Sequence, residues 1–353
     1  MRIAVDGASG YQGGLVVAEL TRRGIGTVLV GRDAARLREA AARLEVLDTE
    51  RRVARWDDHG ALATAFGGCE AVVNCAGPFT PSGHAVVHAA ITAGCHYLDT
   101  AGEQLYIKKV FDRFAADADR AGVTIIPAAT DGAVPSDLIA HILAKLIEPV
   151  AEITTAHTID GGGPSRGSLR SVLETVETFK DGGLVWEDGD WRAGTPARRT
   201  AITFPGHSEA TPVVKFRLPE VVMIPRHVRA GGIEGLVEAQ LGARLSTPIA
   251  ADVIDSLPDG PAEDSRLAQR FTIVVEATGV DGDRARGVVY GRDTYGTTAV
   301  IAVEAAHRLV TDPARPGVLA AAEGYDPAEF LDFLAPHGVR WTIDTADAGR
   351  ASA

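Results

Sequence analysis

Three glycines near the amino terminus have a spacing that lets the backbone approach a ligand. Gly7, Gly10 and Gly13 follow an apolar run at residues 3–5 and precede the amphipathic stretch QGGLVVAELTRRG. In a βαβ unit such glycines allow a tight turn, a close approach to a diphosphate, and close packing of helix on strand. The free N–H groups of the helix start then face the phosphates. We expect dinucleotide contacts from this loop, namely Gly7, Ser9, Gly10, Tyr11, Gln12 and Gly13. An ordinary glycine-rich turn is the alternative.

The end of the second predicted strand indicates which dinucleotide would bind. The stretch VLVGRDAARL has Gly31 and Arg32 where NAD-binding proteins usually carry an acidic residue. A guanidinium there can bind a 2′-phosphate and stack on adenine. Asp33 precedes AARL and suits a helix N-cap. The sequence therefore favours NADP(H) over NAD(H), and the alternative for Arg32 is a solvated loop charge.

The stretch NCAGPF follows the predicted fourth strand, whose carboxyl end would face the nicotinamide half of the cofactor. Its small residues permit backbone contact with ribose and phosphate. The expected contacts are Cys75, Ala76, Gly77 and Pro78, and packing is favoured over thiol chemistry for Cys75. Asp57 either lies near the adenine or is an exposed carboxylate at a helix start.

Three carboxylates follow later strands and are candidates for acid–base chemistry. Asp131 comes just after the predicted sixth strand, where it can act as an acid–base group or hold a substrate ammonium. Its alternative is a cap for the helix that starts near Pro135. Asp99 and Glu103 follow the fifth strand, and for both a helix-capping role is the alternative.

Two arginines are the candidate substrate-binding cations. Arg166 and Arg170 lie four apart in GGGPSRGSLRSVL, so a helix would stack them on one face next to glycines that allow close approach. In that role they predict an anionic substrate, a carboxylate or a phosphate. A solvated helix start is the alternative.

Metal chemistry and the short-chain-dehydrogenase mechanism have little support in the sequence. His84 and His88 lie four apart without an intervening Glu or an obvious third ligand, so no metal is predicted. None of the six tyrosines is followed four residues later by lysine.

The first third of the chain has the alternation of a parallel sheet. Short apolar runs alternate with helical stretches. These runs are residues 3–5, 27–30, 71–74, 96–98 and 123–126, which we number as the first, second, fourth, fifth and sixth strands. The clearest predicted helix covers residues 104–121 and ends at Gly122. We therefore predict an N-terminal Rossmann domain, a doubly wound parallel sheet of the α/β class.

After about residue 150 alternating strands are separated by Gly, Pro and Asp turns with little intervening helix. The second domain is therefore predicted to be α+β, built on a mixed and largely antiparallel sheet. Helices are expected at residues 168–179 and 297–310. The predicted division is 1–135 for the Rossmann domain, 136–295 for substrate binding and dimerisation, and 296–340 for helices that pack back on the first domain.

Composition restricts the partners. The formal net charge is −12 and the 35 basic residues are scattered, which disfavours nucleic acid. No apolar stretch reaches the roughly 18 residues that span a bilayer. The three cysteines have no CxxC spacing. We expect a cytoplasmic protein with a small-molecule substrate and no membrane contact.

The chain resembles the saccharopine dehydrogenase-like oxidoreductases, a group that includes saccharopine reductases and trans-acting enoyl reductases. GASGYQG and the stretches at residues 73–103 and 127–138 carry the resemblance, and those at residues 291–306 and 317–331 continue it. The resemblance implies a Rossmann domain, a discontinuous second domain and a homodimer. It also aligns Asp131 with an active-site aspartate of the saccharopine reductases.

One departure from the family concerns the pocket. Relatives tend to have Gly-Phe-Asp where this chain has Ala129, Thr130 and Asp131, so a bulky wall is expected to be missing. The sequence thus predicts an NADPH-dependent reductase acting on a C=N or C=C bond of a small metabolite. The alternative is a non-catalytic NADP-binding sensor or interaction protein.

Overall fold

Two β-sheets organise the chain. The computed structural model describes residues 1–176, 182–247 and 249–346. A seven-stranded sheet contains the amino-terminal strands, and a nine-stranded sheet contains most strands after residue 150. The predicted α/β class, with a parallel Rossmann sheet and a second mixed sheet, is confirmed.

The first sheet is parallel and has the Rossmann strand order. From one edge to the other the strands run β15-β6-β5-β4-β1-β2-β3. Their bounds are β1 Arg2–Asp6, β2 Gly26–Gly31, β3 Glu50–Val53, β4 Ala71–Asn74, β5 His96–Asp99, β6 Thr124–Ile126 and β15 Gly317–Val318. Between β1 and β4 the order reverses, and ligands of open α/β sheets bind at such a point.

Helices connect these strands, as the hydrophobic pattern predicts. They are α1 Tyr11–Arg22, α2 Ala34–Arg43, α3 His59–Phe66, α4 Phe79–Thr92, α5 Gln104–Ala121 and α6 Ala133–Leu146. Asp33 caps α2 by accepting hydrogen bonds from the amides of Ala35 and Arg36. Gly122 ends α5 in the left-handed conformation (φ +67°), which glycine adopts without strain.

The second sheet is largely antiparallel, with one parallel pair. The path runs β10-β11-β12-β7-β13-β14-β16, with β8 paired to β12 and β9 paired to β8. The bounds are β7 Val150–Asp160, β8 Val185–Glu187, β9 Asp190–Arg192, β10 Ala201–Ile202, β11 Thr211–Lys215, β12 Ala230–Glu238, β13 Arg270–Gly279, β14 Arg284–Arg292 and β16 Arg340–Ala346. The exception is β7, which runs parallel to β12.

The second half contains more helix than the sequence predicts. Its helices are α7 Arg166–Val176, α8 Glu220–Met223, α9 Ala239–Ser246, α10 Ala251–Ser256, α11 Glu263–Ala268, α12 Thr294–Thr311, α13 Ala321–Gly324 and α14 Pro327–Phe333, with 3₁₀ turns at Ile224–Arg226 and Ala335–His337. Most are too short to show a 3.6-residue period. The end of the helix predicted at 168–179 lies outside the described residues.

Two long helices join the sheets. Of these, α12 packs on α1, β4 and β5. In turn, α6 packs on β13 and β14, where a Cβ added at Gly287 would lie 2.3 Å from Cγ2 of Ile139. Within the described ranges, no helix is both long and apolar enough to cross a membrane.

Candidate active site

A cleft of about 690 Å³ lies between the two sheets and is lined from both sides. The first wall comes from the carboxyl ends of β1, β2 and β4, and includes Gly7, Ser9, Gly10, Tyr11, Gln12, Gly31, Arg32, Cys75, Ala76, Gly77 and Pro78. The second wall includes Asp131, His157, Arg166, Arg170, Arg217, Glu220, Tyr295 and Thr298. We call these the nucleotide wall and the substrate wall.

The glycine loop of the nucleotide wall leaves no room for side chains. Gly7 has φ +75°, and a Cβ added there would lie 2.8 Å from the amide nitrogen of Ala76. A Cβ at Gly13 would lie 2.2 Å from the Gly7 carbonyl oxygen. Gly13 therefore packs beneath the loop and does not line the cleft. Gly10 begins α1 without a side-chain cap, so the helix start presents backbone amides to the cleft.

The end of β2 contributes Gly31 and the exposed side chain of Arg32 to the cleft. Arg32 forms no ion pair within the residues that the structure describes. Arg36, on α2, also lines the cleft, and its Nη2 atom lies 3.9 Å from Asp259 Oδ1. Asp57 does not line the cleft, because its carboxylate pairs with Arg55 at 2.9 Å on the surface.

The turn after β4 completes the nucleotide wall. Asn74 Oδ1 accepts a hydrogen bond from the amide of Ala76 (2.9 Å), which fixes the turn. Burial raises the pKa of the Cys75 thiol, so the thiolate needed for nucleophilic chemistry is disfavoured. This turn therefore provides backbone and small side chains to the cleft.

Asp99 and Glu103 hold the scaffold under this wall. Asp99 is fully buried, does not line the cleft, and accepts hydrogen bonds from Tyr97 Oη, Tyr106 Oη and the amides of Ala101 and Ala128. Burial raises its pKa to about 6. Glu103 lines the cleft but accepts from the amides of Phe79 (2.8 Å) and Thr80 (2.7 Å), which caps α4.

Asp131 lies on the substrate wall, where α12 meets the loop after β6. Its backbone amide donates to Thr298 Oγ1 (3.0 Å), and Thr298 Oγ1 lies 3.0 Å from Asp131 Oδ1. Burial raises the pKa of Asp131 to about 6, against the opposing influence of Thr298 and the nearby His157. A carboxyl with a pKa near neutrality can both hold and release a proton under working conditions.

A histidine–carboxylate pair lies next to Asp131. Nε2 of His157, on β7, is 2.8 Å from Oε1 of Glu220 at the start of α8. Glu220 is fully buried, accepts from Thr155 Oγ1 (3.0 Å), and its Oε2 has no hydrogen-bond partner within the described residues. Buried charges of this kind require an oppositely charged partner, which His157 can supply when protonated.

Arg217 is the buried cation of the substrate wall. It is 8% exposed, and its guanidinium lies over the Phe216 ring at 5.0 Å. Its Nη2 atom has no hydrogen-bond partner in the described part of the chain. Burial lowers the pKa of Arg217, but an arginine stays protonated in proteins. The cleft thus contains a positive charge that lacks a full set of acceptors.

The predicted cations Arg166 and Arg170 also line the cleft, but each has an internal partner. Arg166 pairs with Asp259, and Arg170 Nη2 lies 2.6 Å from Asp255 Oδ1. Both carboxylates belong to the segment around α10. These ion pairs hold α7 to that segment.

Sequence reasoning missed His157, Arg217 and Glu220. One signal was available for His157: it shares a strand face with Ile153, Thr155 and Ile159, so a polar pair is placed on an otherwise apolar face. Glu220 follows a proline and would be interpreted as an ordinary residue of a first helical turn. No local pattern distinguishes Arg217.

The residues present fit a dinucleotide better than a metal. The nucleotide wall presents uncapped helix amides and Arg32, which has no ion pair among the described residues, and both suit phosphate groups. Among the described residues, no group of three or more His, Cys, Asp or Glu side chains is arranged to hold a metal ion.

The strand order and the glycine loop place the chain in the class of Rossmann dinucleotide-binding proteins. Residues 3–126 match the family described as the saccharopine dehydrogenase NADP binding domain. This match confirms the predicted resemblance to the saccharopine dehydrogenase-like group and the predicted cofactor, NADP(H).

Similarity to a solved structure extends beyond this domain, and two curated proteins match part of the chain. The apo saccharopine dehydrogenase (L-Glu forming) of Saccharomyces cerevisiae has a TM-score of 0.60 over 98% of this chain and 99% of its own, at 14% identity, which shows a common fold. A trans-acting enoyl reductase of Mycobacterium ulcerans is 30% identical over 40% of this chain and 35% of its own length. A lipid droplet localized protein of Caenorhabditis elegans is 29% identical over 40% of this chain and 36% of its own. The matched regions thus span little more than a third of these two relatives.

Proposed function

We propose that the chain is an NADPH-dependent reductase that transfers a hydride to a C=N or C=C bond of a small metabolite. One observation carries the proposal. A single cleft joins an NADP-binding loop to a wall that contains a carboxyl group, a histidine–carboxylate pair and an arginine. The saccharopine dehydrogenase-like and enoyl reductase relatives support a reductase.

Bound NADPH would supply the hydride, and this chain's residues would bind, orient and protonate the substrate. The loop residues Ser9, Gly10, Tyr11 and Gln12 would hold the diphosphate on the start of α1. Arg32 would bind the 2′-phosphate, and the residues at 75–78 would contact the other half of the cofactor. Gly13 supports this site from below by its close packing against Gly7.

Asp131 is the proposed acid–base or ammonium-binding group. A carboxylate next to the bond under reduction stabilises a positively charged iminium and offers no such stabilisation to a neutral alkene. This difference favours C=N over C=C.

We further propose that the substrate is anionic and that Arg217 binds its carboxylate or phosphate. Arg217 is the better candidate than Arg166 and Arg170, because their guanidinium groups already pair with Asp259 and Asp255. An arginine fork with a free N–H matches the geometry of a carboxylate or phosphate.

The experiment has two stages, both on the purified protein. Calorimetric titration with NADPH and NADH measures binding, and loss of absorbance at 340 nm with a panel of imines, enones and ketones, each with and without a carboxylate, measures turnover. We expect tighter binding of NADPH than of NADH and oxidation with a carboxylate-bearing imine or enone. Tight binding without oxidation by any compound would favour a sensor, and the absence of NADPH binding would refute the reductase.

The larger organisation is also a proposal. We propose domains at 1–135 and 136–295, helices at 296–340 that return to the first domain, and a homodimer formed through the second sheet. Light scattering of the purified protein tests the dimer, with a monomeric mass as the contrary result. The cytoplasmic location stays a prediction, and fluorescence microscopy against a lipid-droplet stain tests it.

A further inference from the structure

The ring of His157 lies between two acidic groups on the substrate wall. On one side, its Nε2 atom is 2.8 Å from Glu220 Oε1. On the other side is the backbone that follows Asp131: a Cβ added at Gly132 would lie 3.1 Å from Cε1 and 3.3 Å from Nδ1 of His157. The absence of a side chain at Gly132 therefore lets the imidazole approach the loop that carries Asp131. His157 itself lines the cleft and is 9% exposed.

The hydrogen-bond network assigns a proton to Nε2. Ser136 Oγ lies 3.2 Å from Nε2, but its hydroxyl proton is already donated to the Gly132 carbonyl oxygen at 2.7 Å. Ser136 Oγ can therefore only accept from His157. The Glu220 carboxylate is also an acceptor. Because both groups are acceptors, the single N–H of Nε2 is shared between them, and Nδ1 is the ring nitrogen whose protonation can change.

We propose that His157 is a catalytic residue that donates the proton of the reduction from Nδ1, and that Glu220 is the positioning residue that orients it. The proposal rests on the reductase function proposed above. It divides the substrate wall into an anion-binding arginine, a carboxylate beside the reacting bond, and an imidazole that supplies the proton.

The step balances in atoms and electrons. The hydride forms a new C–H bond at one end of the C=N or C=C bond, while the π bond breaks and the cofactor is oxidised by two electrons. An imine nitrogen takes the proton that leaves Nδ1 of His157 and becomes the iminium that the hydride reduces. For a C=C bond, the carbon at the other end takes that proton. The neutral imidazole then regains a proton from water that enters the cleft.

The charges around His157 are consistent with a proton-carrying imidazole. Glu220 from α8 and Asp131 from the loop before α6 are the ionisable groups that face it. Its register partners on the flanking strands are Val237 on β12 and Ile273 on β13, and neither carries a charge.

The complete burial of Glu220 explains how it would act. Its Oε1 accepts from His157 and from Thr155 Oγ1, whereas Oε2 has no partner within the described residues. A buried carboxylate with a free oxygen is costly, so the ion pair with the imidazolium offsets much of that cost. Replacing the carboxylate by an amide keeps the shape and removes the charge.

The kinetic test compares His157→Gln and Glu220→Gln with the wild-type enzyme on the best substrate of the panel. A general acid must be protonated, so wild-type kcat should fall as pH rises through the titration of Nδ1. We expect His157→Gln to lower kcat about 100-fold and to lose this alkaline limb, with little change in KM. His207→Gln, an exposed histidine in the second half of the chain, is the matched control and should leave both unchanged.

A second readout does not depend on turnover. Nitrogen-15 NMR of the imidazoles in the cofactor-free protein should show His157 with a proton on Nε2 and a titrating Nδ1. Glu220→Gln should lower the midpoint of that titration, because the opposite charge is lost. Glu220→Asp should restore part of the midpoint and part of kcat, which a purely structural role would not produce.

The outcomes separate this inference from the proposed function. If the wild-type chain reduces a substrate while His157→Gln retains kcat within twofold and the same pH limb, the proton-donor role is wrong and the reductase stands. A proton on Nδ1 instead of Nε2, or a midpoint that ignores Glu220→Gln, would also overturn it. If the wild-type chain reduces no compound of the panel, both the reductase function and the proton-donor role of His157 are wrong.

Discussion

The two walls of the cleft present different chemical groups. The nucleotide wall consists mainly of backbone amides, glycines and small residues, and its members come from residues 7–78. The substrate wall consists of charged and polar side chains that come from residues 131–298, on the loop after β6, on β7, on and just before α8, and on α7 and α12. The first wall suits a ligand that is recognised by its phosphates, whereas the second suits one that is recognised by its own charged and polar groups.

Because of this difference, we expect the two walls to respond differently to substitutions. Backbone recognition depends on loop shape, so a single methyl group disrupts it. Side-chain recognition depends on charge and hydrogen bonding, so isosteric changes should alter activity while the fold persists. Four substitutions, taken from the largest expected effect to the smallest, test this comparison.

The largest effect is expected for Gly13→Ala. The new Cβ would lie 2.2 Å from the Gly7 carbonyl oxygen, so the loop must move away from α1. We expect NADPH affinity to fall about 100-fold or more, about 2.7 kcal/mol, as measured by calorimetry. Gly14→Ala is the control, since its Cβ would meet nothing closer than 3.6 Å. Wild-type affinity in Gly13→Ala would show that the loop does not hold the cofactor.

The second-largest effect is expected for Arg217→Met, which should weaken substrate binding without changing cofactor binding. We expect KM for an anionic substrate to rise about 30-fold, because a charged hydrogen bond is lost, while NADPH affinity stays unchanged. Arg226→Met is matched, since its guanidinium also lies over a phenylalanine ring, at 5.1 Å, outside the cleft. A larger rise in KM for Arg170→Met than for Arg217→Met would instead place the anion-binding site on α7.

Arg32→Ala should change cofactor preference. A guanidinium that binds the 2′-phosphate contributes to NADPH and not to NADH, so we expect NADPH affinity to fall about tenfold while NADH affinity holds. Arg38→Ala, an exposed arginine on α2 that does not line the cleft, is the control. An unchanged ratio of the two affinities would contradict the assignment of Arg32.

Asp131→Asn should stabilise the fold modestly. The pKa of Asp131 is raised to about 6 in the folded chain, so ionisation costs stability as pH rises through that value and costs nothing below the unfolded pKa. The amide cannot ionise, so we expect a gain of about 1 kcal/mol at pH 7.5 and none at pH 4, measured by denaturant melts. Asp281→Asn, an exposed turn residue, controls for the lost charge. A gain independent of pH would refute this cause.

The same division explains what the sequence could predict. The strands, the helix at Gln104–Ala121 and the glycine loop are specified by local patterns, and the structure has them. Asp33 as a helix cap also follows from its neighbours alone.

The sequence could not show the partners that side chains meet only in the folded chain. The sequence shows Arg166 and Arg170 as adjacent cations but not the carboxylates of Asp255 and Asp259, which come from a later segment. Glu103 was expected to act in catalysis or to cap a helix, and it caps α4, the helix before it in the chain. His157 and Glu220 are 63 residues apart, and only the sheet and α8 bring them together.

A crystal structure of the chain with NADPH tests the central claim most directly. We expect the diphosphate on the amides at the start of α1, the 2′-phosphate against Arg32, and the nicotinamide in the part of the cleft that Asp131 and His157 line. A diphosphate bound elsewhere, or a nicotinamide remote from both side chains, would contradict it.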